Sequence, residues 1–81
     1  MRLDYTKSAL YTLNNLPARI RKTFYKQAGF LVQNLHYPSL RAKKYDESRD
    51  IWQARINDDW RFYFKIVDDT YLITGIKPHP K

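Results

Sequence analysis

The stretch IWQARINDDWRFYFKIV, residues 51–67, decides the fold. It reads as two strands joined by a tight turn at Asn57-Asp58-Asp59. Before the turn, Trp52, Ala54 and Ile56 alternate with Ile51, Gln53 and Arg55; after it, Trp60, Phe62, Phe64 and Ile66 alternate with Arg61, Tyr63 and Lys65. Strand side chains point to opposite faces with a period of two, so each strand has one apolar and one more polar face. The faces agree across the hairpin only if the loop holds an odd number of residues. A loop of three, common in hairpins, predicts Ile56 opposite Trp60, Gln53 opposite Tyr63 and Arg55 directly opposite Arg61. Like charges in direct opposition destabilise a sheet. An anion between them offsets the penalty, and planar guanidinium groups grip phosphate through paired hydrogen bonds. A lone arginine pair on an exposed strand is ordinarily just solvated, so a functional reading needs support from the rest of the chain.

Working outward, residues 40–45 (LRAKKY) read as a neighbouring strand, with Arg41 and Lys43 on one face and Lys44 on the other. Asp46-Glu47-Ser48-Arg49 is a polar loop. On the far side, Asp68-Asp69 is a turn and residues 71–77 form the last strand, followed by a tail with Pro78, His79 and Pro80. Upstream, residues 2–5 are a short strand. Thr6 or Ser8 caps a first helix that runs through Leu13, with Leu10, Leu13 and Tyr11 as its expected buried contacts. Pro17 suits the first turn of a second helix, residues 17–35, whose stripe is Ile20, Phe24, Leu31 and Leu35, with Ala28 or Gln27 between. The basic residues Arg19, Lys22 and Lys26 on its other side read as a solvated surface. The order β-α-α-β-β-β-β predicts an α+β fold: a small antiparallel sheet, a meander packed on two N-terminal helices. Trp52, Phe62, Phe64 and Ile66 then face the helices, and Arg55, Arg61, Tyr63 and Lys65 line the open face.

The 81 residues imply one small domain. With no cysteine, disulfides and cysteine-based zinc sites are excluded, and two distant histidines suggest no metal site, so no cofactor is expected. The cysteine-free composition fits a cytoplasmic protein. No apolar run reaches the roughly 20 residues that span a bilayer, and the first residues do not read as a signal peptide, so no membrane partner is expected. The net charge of +7 attracts nucleic acid, an acidic membrane surface or an acidic protein, without choosing among them.

If the Asp68-Asp69 turn pairs Val67 with Thr70, a regular register places Ile76 opposite Arg61, and His79 follows within roughly 10 Å. The loop carrying Glu47 is expected to reach the same end of the sheet. The open face then gathers arginines, lysines, a carboxylate and an imidazole. Metal-free RNA cleavage needs such a set: a base for the 2′-hydroxyl proton, an acid for the leaving 5′-oxygen, and fixed cations for the transition-state charge. Imidazole suits the acid. Glutamate or lysine serves as base only where its surroundings tune it. Tyr63, Trp60 and Tyr45 are candidates for stacking on a base, although most such rings simply pack.

The succession LNNLP, LHYPSLRAKK, IWQARINDDWRFYF and DDTYLITGIKPHPK resembles the RelE/ParE superfamily of bacterial toxins, nearest the RelE, YoeB and HigB-type ribonucleases. The resemblance covers nearly the whole chain, as one RelE-like toxin domain over residues 1–81. Its most specific part is Trp52, Arg55, Ile56 and Arg61, followed by a closing strand and His79. It implies the toxin of a type II toxin–antitoxin system: an endoribonuclease that cuts messenger RNA in the ribosomal A site, inhibits translation and is held inactive in a hetero-oligomer with an acidic antitoxin. It carries Arg55 and Arg61 over as phosphate-binding and transition-state arginines, His79 as general acid and Glu47, less cleanly, as general base. RNA contacts are expected from Arg41, Lys43, Lys44, Tyr63, Lys65 and Lys77. Many members end on a functional tyrosine; here Pro80 and Lys81 follow His79. Two other readings share the fold or the charge: a ParE-like DNA gyrase inhibitor, and a non-catalytic basic binding module.

Overall fold

The computed structural model describes residues 1–80. The central hairpin forms with the predicted parity. Strands β3 (Ile51–Arg55) and β4 (Trp60–Val67) pair antiparallel, with Gln53 opposite Tyr63 and Arg55 opposite Arg61. The Asn57 carboxamide closes the three-residue loop by accepting from the backbone N–H of Asp59 and of Trp60, each at 2.9 Å. Short polar side chains that bond their own backbone in this way favour turns.

The sheet has five strands in the order β1-β5-β4-β3-β2, with β1 at Arg2–Tyr5, β2 at Lys43–Asp46 and β5 at Thr70–Pro78. Strands β2 to β5 form the expected antiparallel meander. Strand β1 instead pairs parallel to β5, so the sheet is mixed. The two helices between β1 and the meander supply the long crossover that a parallel pairing requires.

Helix α1 (Lys7–Asn14) is capped by Thr6, whose hydroxyl accepts from the Ala9 N–H at 3.1 Å. It buries Ala9 and Leu13, one turn apart, whereas Leu10 and Tyr11, expected inside, stand 42% and 73% exposed. An eight-residue helix has one buried stripe, and the i, i+4 pair occupies it. Helix α2 (Ala18–Gln33) buries Ile20, Phe24, Gln27, Ala28 and Leu31, close to the predicted stripe. Phe24 meets Phe62 edge-to-face at 5.2 Å, joining helix to sheet. Phe62 and Phe64 are fully buried, and Trp52 and Ile66 pack partly buried at the margin of the core. A one-turn 3-10 helix, Pro38–Leu40, replaces the start of the expected strand and sends Leu40 into the core. It closes with Arg41 in the left-handed region (φ 46, ψ 42).

One register expectation is overturned. Val67 pairs with Thr70 as predicted, but Arg61 lies opposite Lys77, and Ile76 lies opposite Phe62. A bulge in β5, between the Tyr63↔Gly75 and Phe64↔Ile73 pairs, inserts Thr74 as an extra residue. The cause is hydrophobic. Tyr71 and Ile73 share the core face, and a regular strand would turn Ile76 outward. The inserted residue restores it to the core, where it is 5% exposed.

Candidate nucleic-acid interface on the open sheet face

The hairpin end of the open face holds a cavity of about 210 Å³ lined by Arg41, Lys43, Gln53, Arg55, Arg61 and His79, with the Ala54 backbone strand between. Each residue arrives by a separate local cause. Strand parity aims Arg55 and Arg61 to the same side. Lys43 pairs with Gln53 and so shares their face. Arg41 enters through its left-handed backbone, an uncommon conformation for a residue with a side chain and one found at functional sites. His79 comes on the end of β5, after Trp60↔Pro78, and its backbone N–H donates to the Asp59 carbonyl at 2.7 Å. His79 is thereby tied to the turn between the arginines.

The like-charge opposition of Arg55 and Arg61 is relieved within the chain. Arg55 donates through Nη2 to the Asp58 carboxylate, an ion pair reaching across the turn. Arg61 donates through Nη1 to the backbone carbonyls of Asn57 and, at 3.0 Å, Trp60. Arg61 therefore braces the turn with one nitrogen of a five-donor fork. Arg55 is held from behind as well. Its carbonyl accepts from Gln27 Nε2 at 2.8 Å, and the same nitrogen donates to the Ser39 carbonyl at 3.1 Å. The Ser39 hydroxyl donates to Gln27 Oε1 at 3.0 Å. Gln27, 4% exposed, thus locks helix α2, the 3-10 turn beside Arg41 and the strand of Arg55 to one another.

Other expected site residues are placed elsewhere. Glu47 does not reach the cavity. The turn it occupies, residues 47–50, joins β2 to β3 at the end of β3 remote from Arg55, roughly 13 Å along the strand from Ile51 alone. Successive turns of a meander alternate between sheet ends, which rules out the shared end expected for Glu47 and His79. Lys44 lies on the opposite face. It sits 5.0 Å from the Trp52 ring centroid and pairs with Asp50, whose hydrogen bond raises the lysine's pKa above its usual value. Lys65 is on the open face by parity but outside the cavity, toward the Val67–Thr70 turn. Tyr63 and Lys77 line an adjoining hollow. The cavity's missed contributors are Gln27, Gln53 and Asp58. Gln27 had a legible signal, a lone polar residue on the apolar stripe of its helix, since buried polar groups are nearly always bonded to something specific. In the sequence Asp58 signals only a turn.

Chemically, the cavity concentrates four cationic side chains and an imidazole, and among the described residues that line it none is a carboxylate. Such a site suits an anion with several oxygens, and it sets an imidazole beside that anion.

No protein-family model matches the chain, and no curated protein matches it. Solved structures do. A YoeB/ParE toxin from Agrobacterium tumefaciens superposes with a TM-score of 0.82 at 14% identity, over 99% of this chain and 100% of that one. The archaeal RelE–RelB complex from Pyrococcus horikoshii OT3 gives 0.74 at 22% identity, over 95% and 92%. A heterotetrameric YoeB–YefM toxin–antitoxin complex from Staphylococcus aureus gives 0.79 at 14% identity, over 99% and 98%. At these identities the likeness carries the fold, and the fold of this chain is that of the RelE/YoeB toxins.

Proposed function

We propose that this protein is the toxin of a type II toxin–antitoxin system, acting in the cytoplasm as a ribosome-dependent endoribonuclease on messenger RNA. The observation that carries the reading is the single cavity holding Arg55, Arg61, Lys43, Arg41 and His79. The scissile phosphate sits between the opposed arginines. The 2′-hydroxyl oxygen attacks phosphorus, a base takes its proton, and the P–O5′ bond breaks as His79 protonates the leaving oxygen. The products are a 2′,3′-cyclic phosphate and a 5′-hydroxyl. Arg55 and Arg61 stabilise the charge gathering on the phosphoryl oxygens. With Glu47 remote, the proton acceptor is sought among the cavity's own groups, Lys43 first, because it lies on the strand facing Gln53 and Arg55.

Two of the similar structures are complexes with RelB and YefM, which supports a protein antitoxin as partner. The imidazole in the arginine cavity favours the nuclease over a gyrase inhibitor, for which proton transfer has no use. The test is cleavage mapping on translated and untranslated message after induced expression. Wild type is expected to cut the translated message alone. Arg61→Ala is expected to cut about 10²–10³-fold more slowly, the cost of one lost transition-state donor. Its melting should show about 1 kcal/mol lost with the turn contacts. Growth arrest with intact message would overturn the nuclease reading in favour of another target.

A further inference from the structure

We infer that the open face carries a second seat, beside the arginine cavity, shaped for one nucleobase of single-stranded RNA. The inference rests on the RNA reading of that cavity and assigns the neighbouring hollow, about 290 Å³, whose walls are Tyr45 and Tyr63 and whose floor is Gly75. Tyr63 lies two residues beyond Arg61 on β4 and on the same face, about 7 Å away along the strand. That is close to one step of an extended phosphodiester chain. Its hydroxyl accepts from Gln53 Nε2 at 3.2 Å, and Gln53 lines the arginine cavity, so the two hollows share a wall.

The seat is built from strand irregularities. Tyr45 is the extra residue where the β2–β3 register shifts, and Thr74 is the extra residue in β5. Bulges re-aim side chains, and here both flank the same hollow. Tyr45, 58% exposed, meets Tyr63 edge-on with ring centroids 4.9 Å apart at 65°. Lys77 places Nζ 5.8 Å from the Tyr63 ring centroid, a cation at the rim on the side of Arg61. Gly75 lies opposite Tyr63, and a Cβ built there has only Tyr63 Cδ2 within 4 Å, at 4.0 Å. The floor is thus low because no side chain rises from it. Its backbone does not require glycine, since no glycine here has positive φ. Two aromatic walls, a bare floor and a rim cation one strand step from a phosphate cavity match how single-stranded RNA is held: bases on rings, backbone on cations.

The experiment is an NMR titration of the full chain with an RNA tetranucleotide methylated at every 2′-oxygen, which cannot be cleaved, and with the same strand lacking one base. Wild type should bind the intact strand roughly ten-fold more tightly, the scale of one stacked base, with Tyr45 and Tyr63 ring resonances shifting. Gly75→Val fills the floor and should bind both strands equally, at the weaker affinity. Tyr45→Ala removes an exposed ring without touching the core and should do the same, which covers the case of a misfolded valine variant. Arg61→Ala should weaken both strands in parallel and keep their ratio. Equal binding of the two strands by wild type, or an undiminished ratio in Tyr45→Ala, overturns the seat while leaving the arginine cavity as an RNA site. Binding of neither strand overturns the seat as a site for free single-stranded RNA, while the ribosome-dependent reading stands or falls by the cleavage mapping.

Discussion

His79 shows how a single residue gains its position from the backbone around it. Pro78 and Pro80 restrict the chain on either side, and the His79 N–H is spent on the Asp59 carbonyl. The imidazole is therefore the free end of a short, anchored arm that enters the cavity of Arg55 and Arg61. A general acid contributes about 10²–10⁴-fold through proton transfer to the leaving oxygen. His79→Gln keeps the backbone bond and the volume but cannot act as an acid. It is expected to slow single-turnover cleavage of a ribosome-bound message by roughly 10²-fold or more, with ribosome binding nearly unchanged. Cutting at the wild-type rate would remove His79 from the chemistry and leave it with Lys43 and the arginines. Residue-scale placement is legible in the sequence wherever strand parity settles it: the shared face of Arg55, Arg61 and Tyr63 follows from counting. Glu47 is misplaced because face parity does not say which end of a sheet a turn occupies; the alternation of turns along the meander does.

At the scale of elements, the β2–β3 turn illustrates how a local hydrogen-bond set fixes a connection. Asp46 accepts from the Ser48 hydroxyl at 2.8 Å, the Arg49 N–H at 3.2 Å and Arg49 Nε at 2.7 Å. The Arg49 side-chain bond, then that of Ser48, draws the carboxyl from its usual 3.8 to about 2. A carboxylate depressed in the folded state binds fewer protons than in the unfolded chain across that interval. Its contribution is therefore present above the unfolded value and lost as pH falls through the folded one. Asp46→Asn should melt below wild type at neutral pH, and the gap should narrow as pH falls from 3.8 to about 2. A gap that stayed constant over that range would show that the carboxylate's charge does not hold the turn. The bulge in β5 was the element-scale feature the alternation concealed. Tyr71, Ile73 and Ile76 break the period of two, and only burial of all three explains it. That broken period was visible in the sequence; what it meant depended on knowing which face was packed. The parallel pairing of β1 had no such local signal, because its partner lies nearly the whole chain away.

Over the whole molecule, Lys and Arg exceed Asp and Glu by 15 to 8, and the excess is unevenly spent. Lys44, Arg49 and Arg2 pair with Asp50, Asp46 and Asp69 away from the open cavity. Beside the cavity, Arg55 pairs with the carboxylate of Asp58, itself 88% exposed and so readily displaced. Surface pairs of this kind contribute little, typically below about 1 kcal/mol. A more acidic ligand can therefore take the place of Asp58 at small cost. A field that suits the RNA of the proposed function equally suits an acidic protein segment, and a segment seated there would block the cavity as it neutralises it. Under the proposed function, the antitoxin should therefore cover Lys43, Arg55 or Arg61. Complementary charge acts mainly on encounter, so association with the antitoxin should slow steeply as salt rises. Reversing Lys43, Arg55 and Arg61 together to Glu should slow association and weaken the complex while leaving the helices and the Phe24–Phe62 contact intact. Stopped-flow association at low and high salt, with melting as the control for folding, decides the placement. Association unchanged by the triple reversal would put the antitoxin on another surface and leave the cavity's charge to RNA alone.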